Sequence, residues 1–188
     1  MTTYIALFRG INVGGNNIIP MKDLTALVAT CGHSDVKTYI QSGNVIFKSG
    51  GSGKANGAGR ERVLAKEIAA AVRKSRGFEP RVVVLSLAAL RNIAAANPFP
   101  QAVEDPKSVH VFFLAEPAKS ANIKAMEAVK TKNERFALKG DAFYVHAPEG
   151  LGRSKLGSCC ERHLGVDATA RNWRTVTTLI ELAEAASA

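Results

Sequence analysis

Cysteine is scarce in this sequence. Cys31, Cys159 and Cys160 are the three in 188 residues. An odd count with one vicinal pair builds no disulfide framework, so reduced thiols are expected. Long apolar runs are missing too: none approaches the roughly 18–20 residues of a membrane span. Met1-Thr2-Thr3-Tyr4 shows neither the basic n-region nor the cleavage site of a signal peptide. A cytoplasmic protein with no membrane partner is the expectation. Familiar catalytic patterns are absent as well. There is no nucleophile elbow and no acidic pair at metal-binding spacing, which removes the usual hydrolase frames. Gly53-Lys54 is followed by Ala55 where a phosphate-binding P-loop needs Ser or Thr, and position 48 holds Lys rather than Gly. The histidines His33, His110, His146 and His163 lie apart. Cys159 and His163 share a helical face at i, i+4, but no nearby pair completes a site. No metal and no cofactor are expected.

Acid is also in short supply. Lys and Arg number 25 against 16 Asp and Glu, for a net charge of +9. The excess sits in one half: residues 1–100 hold 13 basic and 5 acidic side chains, residues 101–188 hold 12 and 11. A basic first half attracts nucleic acid or phosphorylated ligands, although the basic residues are interspersed and also serve solubility. With 46% hydrophobic and 22% charged residues, the chain can bury one large core or two small ones.

Periodicity supplies the elements. Tyr4–Phe8 reads as a buried strand. Met21, Leu24, Leu27, Val28 and Cys31 form one helical face, opened by Pro20 and closed by Gly32. Val36–Gln41 and Asn44–Lys48 are strands around Ser42-Gly43, a hairpin signal. Residues 49–59 are glycine-rich and read as a loop. A helix over 60–76 follows, with Val63, Leu64, Ile68, Ala71 and Val72 inward, then a strand at Pro80–Leu85 and a helix at Leu87–Ala96. The second half repeats the order. Val109–Leu114 is a strand, and Pro117 opens a helix with Ile123, Met126 and Val129 inward. Lys139-Gly140-Asp141 turns a hairpin between Arg135–Leu138 and Ala142–His146. Ser154 caps a helix with Leu156, Cys160 and Leu164 aligned. A short strand at Ala168–Arg171 precedes a final helix burying Val176, Leu179, Ile180 and Ala183.

The expected fold class is α+β: two ferredoxin-like (β-α-β-β-α-β) α/β plaits in tandem, each with a trailing helix. The expected domains are an N-terminal plait at 1–97, a proline-rich linker at 98–107, and a C-terminal plait at 108–188. In such a plait the first two strands run parallel. The loop Arg9-Gly10-Ile11-Asn12-Val13-Gly14-Gly15 therefore sits beside the turn Gln41-Ser42-Gly43-Asn44. At the opposite edge of the second plait, Gly150–Lys155 sits beside Thr169-Ala170-Arg171-Asn172-Trp173. Each edge is polar. Arginine offers a planar fork to phosphate or carboxylate, glycine opens the backbone to a ligand, and a helix N-terminus adds donors. The candidate ligand-binding residues are Arg9, Asn12, Gly14, Gly15, Gln41, Ser42, Asn44, Lys155, Arg171, Asn172 and Trp173. Five of them have a plainer alternative: Arg9 caps carbonyls, Asn12 and Asn44 tie down turns, Asn172 caps a helix, and Trp173 is an anchor.

These stretches resemble the signature of a bacterial domain-of-unknown-function family, number 1697. The resemblance is carried by Arg9–Gly15, by Thr38–Phe47, by Ser154-Lys155-Leu156 and by Thr169–Val176. The glycine-rich stretch at 49–59 and Cys159-Cys160 depart from it without touching a motif. The resemblance implies a paired α/β plait and no stated activity. Three readings stay open: a binding protein for an anionic small molecule, nucleotide or nucleic acid; an enzyme acting on a phosphorylated small molecule; and motif residues that only hold the fold.

Overall fold

A computed structural model describes residues 1–50 and 57–187. It divides into two compact units, Met1–Arg91 with Leu179–Ala188, and Asn92–Thr178. The glycine-rich stretch, where the P-loop comparison fell, lies for residues 51–56 outside the described residues.

The first unit runs β1 (Thr2–Arg9), α1 (Met21–Thr30), β2 (Ser34–Tyr39), β3 (Asn44–Ser49), α2 (Ala58–Arg76), β4 (Arg81–Ser86), and the start of α3 (Leu87–Ala95). Its sheet is antiparallel, in the order β2-β3-β1-β4. Alternation along β1 sends Tyr4, Ala6 and Phe8 toward the helices. They meet Leu24, Leu27 and Val28 of α1 and Leu64, Ile68 and Val72 of α2 in one core. Val63, expected inward, is instead 47% exposed. It stands beside Leu64 but off the stripe that Leu64, Ile68 and Val72 make. The hairpin turn is also longer than expected, because β2 ends at Tyr39 and Ile40 through Gly43 make the connection. Asp35, in the left-handed region at φ 52, accompanies a break in the β2–β3 register between Ser34 and Lys37.

The second unit continues with α4 (Gln101–Glu104), β5 (Val109–Leu114), α5 (Ile123–Val129), β6 (Arg135–Lys139) and β7 (Ala142–His146). A 3-10 turn at Leu151–Arg153, α6 (Lys155–Leu164), β8 (Ala168–Asn172) and α7 (Trp173–Ser187) complete the chain. This second sheet is antiparallel in the order β6-β7-β5-β8, matching the first strand for strand. Phe112, Phe143 and Val145 pack against Met126, Leu156, Cys160 and Leu164. The helix expected from Pro117 begins only at Ile123, because Asn122 accepts the amide of Ala125 at 3.0 Å and sets the N-cap there. Ile123 thereby lands in the first turn, 41% exposed. Ser154 caps α6 as expected, accepting the amide of Gly157 at 2.8 Å. Tyr144, fully buried, donates its hydroxyl to the carbonyl of Ile93 at 2.7 Å, and burial pushes its phenol up to about 12. Among the described residues no helix is long and apolar enough to cross a membrane.

Burial also pulls the imidazoles of His33, His110 and His146 below their ordinary value. His33 shows the cause. It stacks on Phe47 with ring centroids 4.7 Å apart, and neither ring nitrogen has a hydrogen-bond partner among the described residues. A histidine held neutral by the fold binds fewer protons than the same residue in the unfolded chain. Stability present at pH 7 is then lost as the pH falls through 6.5 toward the lower folded-state values. We expect the melting temperature to drop as the pH falls from 7 to 5.5, and to drop less in His33→Phe, which keeps the ring stack. An identical pH response in the variant would exclude His33 as a contributor.

Candidate functional site

The ends of β1 and β2 and the start of β3 lie at one edge of the first sheet, since Leu7 pairs with Asn44 and Asn44 with Tyr39. There the Arg9 loop and the hairpin turn meet. The Phe8 amide donates to the Gly43 carbonyl at 2.8 Å. Asn12 fastens the rest. Its Nδ2 donates to the carbonyls of Ile19 (3.0 Å) and Gln41 (3.1 Å), and its Oδ1 accepts the Ile19 amide (2.8 Å). The Asn12 amide donates to the Asn17 carbonyl at 3.2 Å, and Asn17 Nδ2 reaches back to the Gly10 carbonyl at 3.0 Å. The loop needs this fastening, because Gly10, Asn12, Gly14, Gly15 and Asn17 all have left-handed backbones.

Asn44 is fully buried, and its Nδ2 donates to the Tyr39 carbonyl and to Ser42 Oγ, both at 3.0 Å. Gly43 must be glycine twice over. Its φ is +75°, and a Cβ there would lie 2.6 Å from Ile11 Cδ1 and 2.7 Å from Phe8 Cβ. Several motif residues therefore build the edge. Others are presented by it: Gly14, Gly15, Gln41 and Ser42 are exposed, and a Cβ on either Gly14 or Gly15 would meet nothing within 4 Å. Three residues that sequence reasoning passed over stand with them. Val13 is 64% exposed, Ile18 62% and Ile40 49%. In the sequence Val13 and Ile18 are aliphatic side chains beside glycine and asparagine, and Ile40 reads as part of the strand Val36–Gln41.

The same edge gathers charge. Arg9 is half-buried and pairs in register with Arg81 at the start of β4. The Arg76–Asp23 ion pair ties the end of α2 to the start of α1. Arg9, Lys22, Arg73, Lys74, Arg76 and Arg81 thus come to one edge, against Asp23 and Glu79, the latter paired with Arg73 at 3.3 Å. The C-terminus of α2 favours its basic residues through the helix dipole.

In the second unit, His110 pairs with Asn172 and Val109 with His146, so β7 and β8 end at a common edge. Gly150–Lys155 follows the first and Trp173 the second. Asn172 is a helix cap, its Oδ1 accepting the Thr175 amide at 2.9 Å. Arg171 donates from Nη1 to the Ala170 carbonyl at 2.8 Å and makes further contacts. Burial pulls its guanidinium down to about 10. Trp173 is half-buried and Lys155 exposed. The Cys159 thiol donates to the Leu156 carbonyl at 3.7 Å. Among the described residues no group of three His, Cys, Asp or Glu is placed to hold a metal ion.

A cleft of about 460 Å³ lies at the opposite edge of the first sheet, lined by Thr2, Thr3, Lys48, Ser86, Arg91 and Ser187 among others. Its cations are engaged: Lys48 with Asp35 at 3.1 Å, and Arg91 with Glu184.

A family model described as a protein of unknown function (DUF1697) matches residues 1–144. No curated protein matches the chain. Among solved structures it is similar to conserved bacterial protein SP0830 from Streptococcus pneumoniae, with 22% sequence identity and a TM-score of 0.68. That match covers 97% of this chain and 98% of the other. At that identity the likeness concerns the fold.

The edge geometry makes Gly43→Ala severe. Left-handed strain and overpacking against Phe8 and Ile11 together cost about 2–4 kcal/mol, or about 5–15 °C in melting temperature for a chain of this size. Asn12→Asp, which keeps the acceptor for Ile19 but loses both donations, falls between Gly43→Ala and the parent. Thermal melts of the three proteins check the ranking, and a Gly43→Ala protein as stable as the parent would contradict the packing.

Proposed function

This chain belongs to the DUF1697 family of proteins of unknown function, and we propose that it is a binding protein for an anionic, phosphate-bearing ligand, a nucleotide or nucleic acid. The observation that supports this most is a coincidence at one edge: a fastened loop with open glycine backbone stands among the cations that β1, α1, α2 and β4 bring there. On this reading the chain is two ferredoxin-like plaits, each with a trailing helix, residues 1–97 and 108–188 joined by 98–107. Arg9 offers its fork to the anion. Gly14 and Gly15 let backbone amides approach it, and Gln41 and Ser42 orient it, while Asn12 and Asn44 keep the loop and turn in place. Lys155, Arg171, Asn172 and Trp173 form a second contact region in the other unit. An enzyme acting on a phosphorylated small molecule would draw on the same residues. The purely structural reading is favoured by the number of Asn12 and Asn44 bonds that end on neighbouring backbone.

Lys22 and Lys74 are exposed and lie outside the fastening network, so they test charge without breaking the loop. Binding of short labelled DNA, RNA and nucleotides should weaken about a hundredfold for nucleic acid between 50 and 200 mM salt if about four phosphates are contacted. The double variant Lys22→Glu, Lys74→Glu should bind more weakly at an unchanged melting temperature. Equal affinity in parent and variant, or no ligand bound at low salt, would remove the reading and leave the structural one.

A further inference from the structure

We infer that this edge takes double-stranded nucleic acid and enters a groove as a wedge, with Val13, Ile18 and Ile40 as the intruding tip. The inference rests on the phosphate-binding reading above and names the form of the ligand.

The three residues adjoin backbone that meets at the Asn12 side chain. Val13 follows Asn12. Ile18 precedes Ile19, whose amide and carbonyl both bond to the Asn12 side chain. Ile40 precedes Gln41, whose carbonyl accepts from the same side chain. Each is thus one residue from the same fastening point, and each is about half exposed or more. The same edge carries exposed Lys22 and Lys74, together with Arg73 and Arg76 in their ion pairs with Glu79 and Asp23.

The tip is also stiff. Ile40 is β-branched yet sits at φ +49°, a conformation that branched side chains rarely adopt. The carbonyls on either side of it are both held by asparagine side chains: Tyr39 by Asn44 at 3.0 Å, and Gln41 by Asn12 at 3.1 Å. Stored strain at an aliphatic residue that stays about half exposed adds little to the core. It does fix where that side chain stands.

Stiffness separates the candidate partners. A bilayer surface yields to whatever is pressed into it, so membrane contact gains nothing from a strained, fixed tip. Parting a base step costs a few kcal/mol and needs a protrusion that does not fold back, with cations at phosphate distance on its flanks. Single strands are recognised mainly by stacking bases on exposed aromatic rings. Among the described residues the exposed large hydrophobic side chains are Met1, Val13, Ile18, Ile40, Val63, Val103, Ile123 and Leu182, none of them aromatic. A duplex with a groove to enter suits the surface better.

The test uses the full chain, a duplex carrying 2-aminopurine at one step, the corresponding single strand, and vesicles of phosphatidylglycerol. We expect the duplex to bind about tenfold or more tighter than the single strand, with a rise in 2-aminopurine fluorescence as the step opens. Val13→Ser with Ile18→Ser should abolish the rise and the duplex preference while the salt dependence stays. Ile40→Gly relieves the strain, so a loss of the rise in that variant cannot be blamed on misfolding. Nucleic-acid binding with no fluorescence rise, or with a rise the tip variants leave intact, overturns the wedge and spares the phosphate-binding reading. Absence of all nucleic-acid binding overturns the wedge, and absence of nucleotide binding as well overturns the phosphate-binding reading with it. Vesicle binding that the tip variants abolish, with no duplex binding, overturns the wedge in favour of a lipid surface.

Discussion

The Asn12 carboxamide is the interaction on which the first unit's edge depends. The chain leaving β1 makes its way to α1 through five left-handed residues, two of them asparagine. Each left-handed asparagine costs something, and each glycine gives up more conformational freedom than any other residue. One side chain with a donor pair and an acceptor offsets much of that, by bonding Ile19 twice and Gln41 once. An aspartate lacks the donors and a leucine lacks everything. The second constraint is Gly43, whose missing side chain lets Phe8 and Ile11 close over the turn. Between them, loop and turn become one body although β3 lies between their parent strands.

Most of the fold was legible in the sequence because it follows from periodicity. The stripes in α1, α2 and α6, the alternation in β1 and the Ser154 cap all have local causes. The meeting of the Arg9 loop with the hairpin turn was legible too, since parallel strands must end at the same edge. What escaped were outcomes of competition. Pro117 is a fair helix opener, but Asn122 is a better cap and moved the start of α5 to Ile123. Val63 is as hydrophobic as Leu64, yet it lies off the stripe that Leu64, Ile68 and Val72 turn to the core. Ile40 carries a residue type that argues for a strand, and the tertiary bonds on either side of it force a turn.

The candidate site was legible in part, for a reason its chemistry explains. A motif rich in asparagine and glycine invites a ligand-binding interpretation residue by residue. In this edge the polar groups of Asn12 and Asn44 are largely spent on neighbouring backbone, and Asn172 and Ser154 are spent on helix ends. Such residues determine shape, and what the shape displays is different: glycine backbone, Gln41, Ser42 and three aliphatic tips. The gathering of cations could not be read either. Residues from 9 to 81 contribute, and only the pairing of Arg9 with Arg81 and of Arg76 with Asp23 shows that they share an edge.

An exposed apolar tip is ordinarily a liability, because two copies can bury it against one another. Here cations share the same edge. Bringing two such edges together would press like charges close while offering each copy the same apolar tip, and that electrostatic cost opposes self-association. A polyanion meets the opposite balance: the charges that repel a second copy attract it, and the tip follows. On the proposed reading, charge sign discriminates between partners before any apolar contact forms, and Val13, Ile18 and Ile40 stay in water until a polyanion is bound.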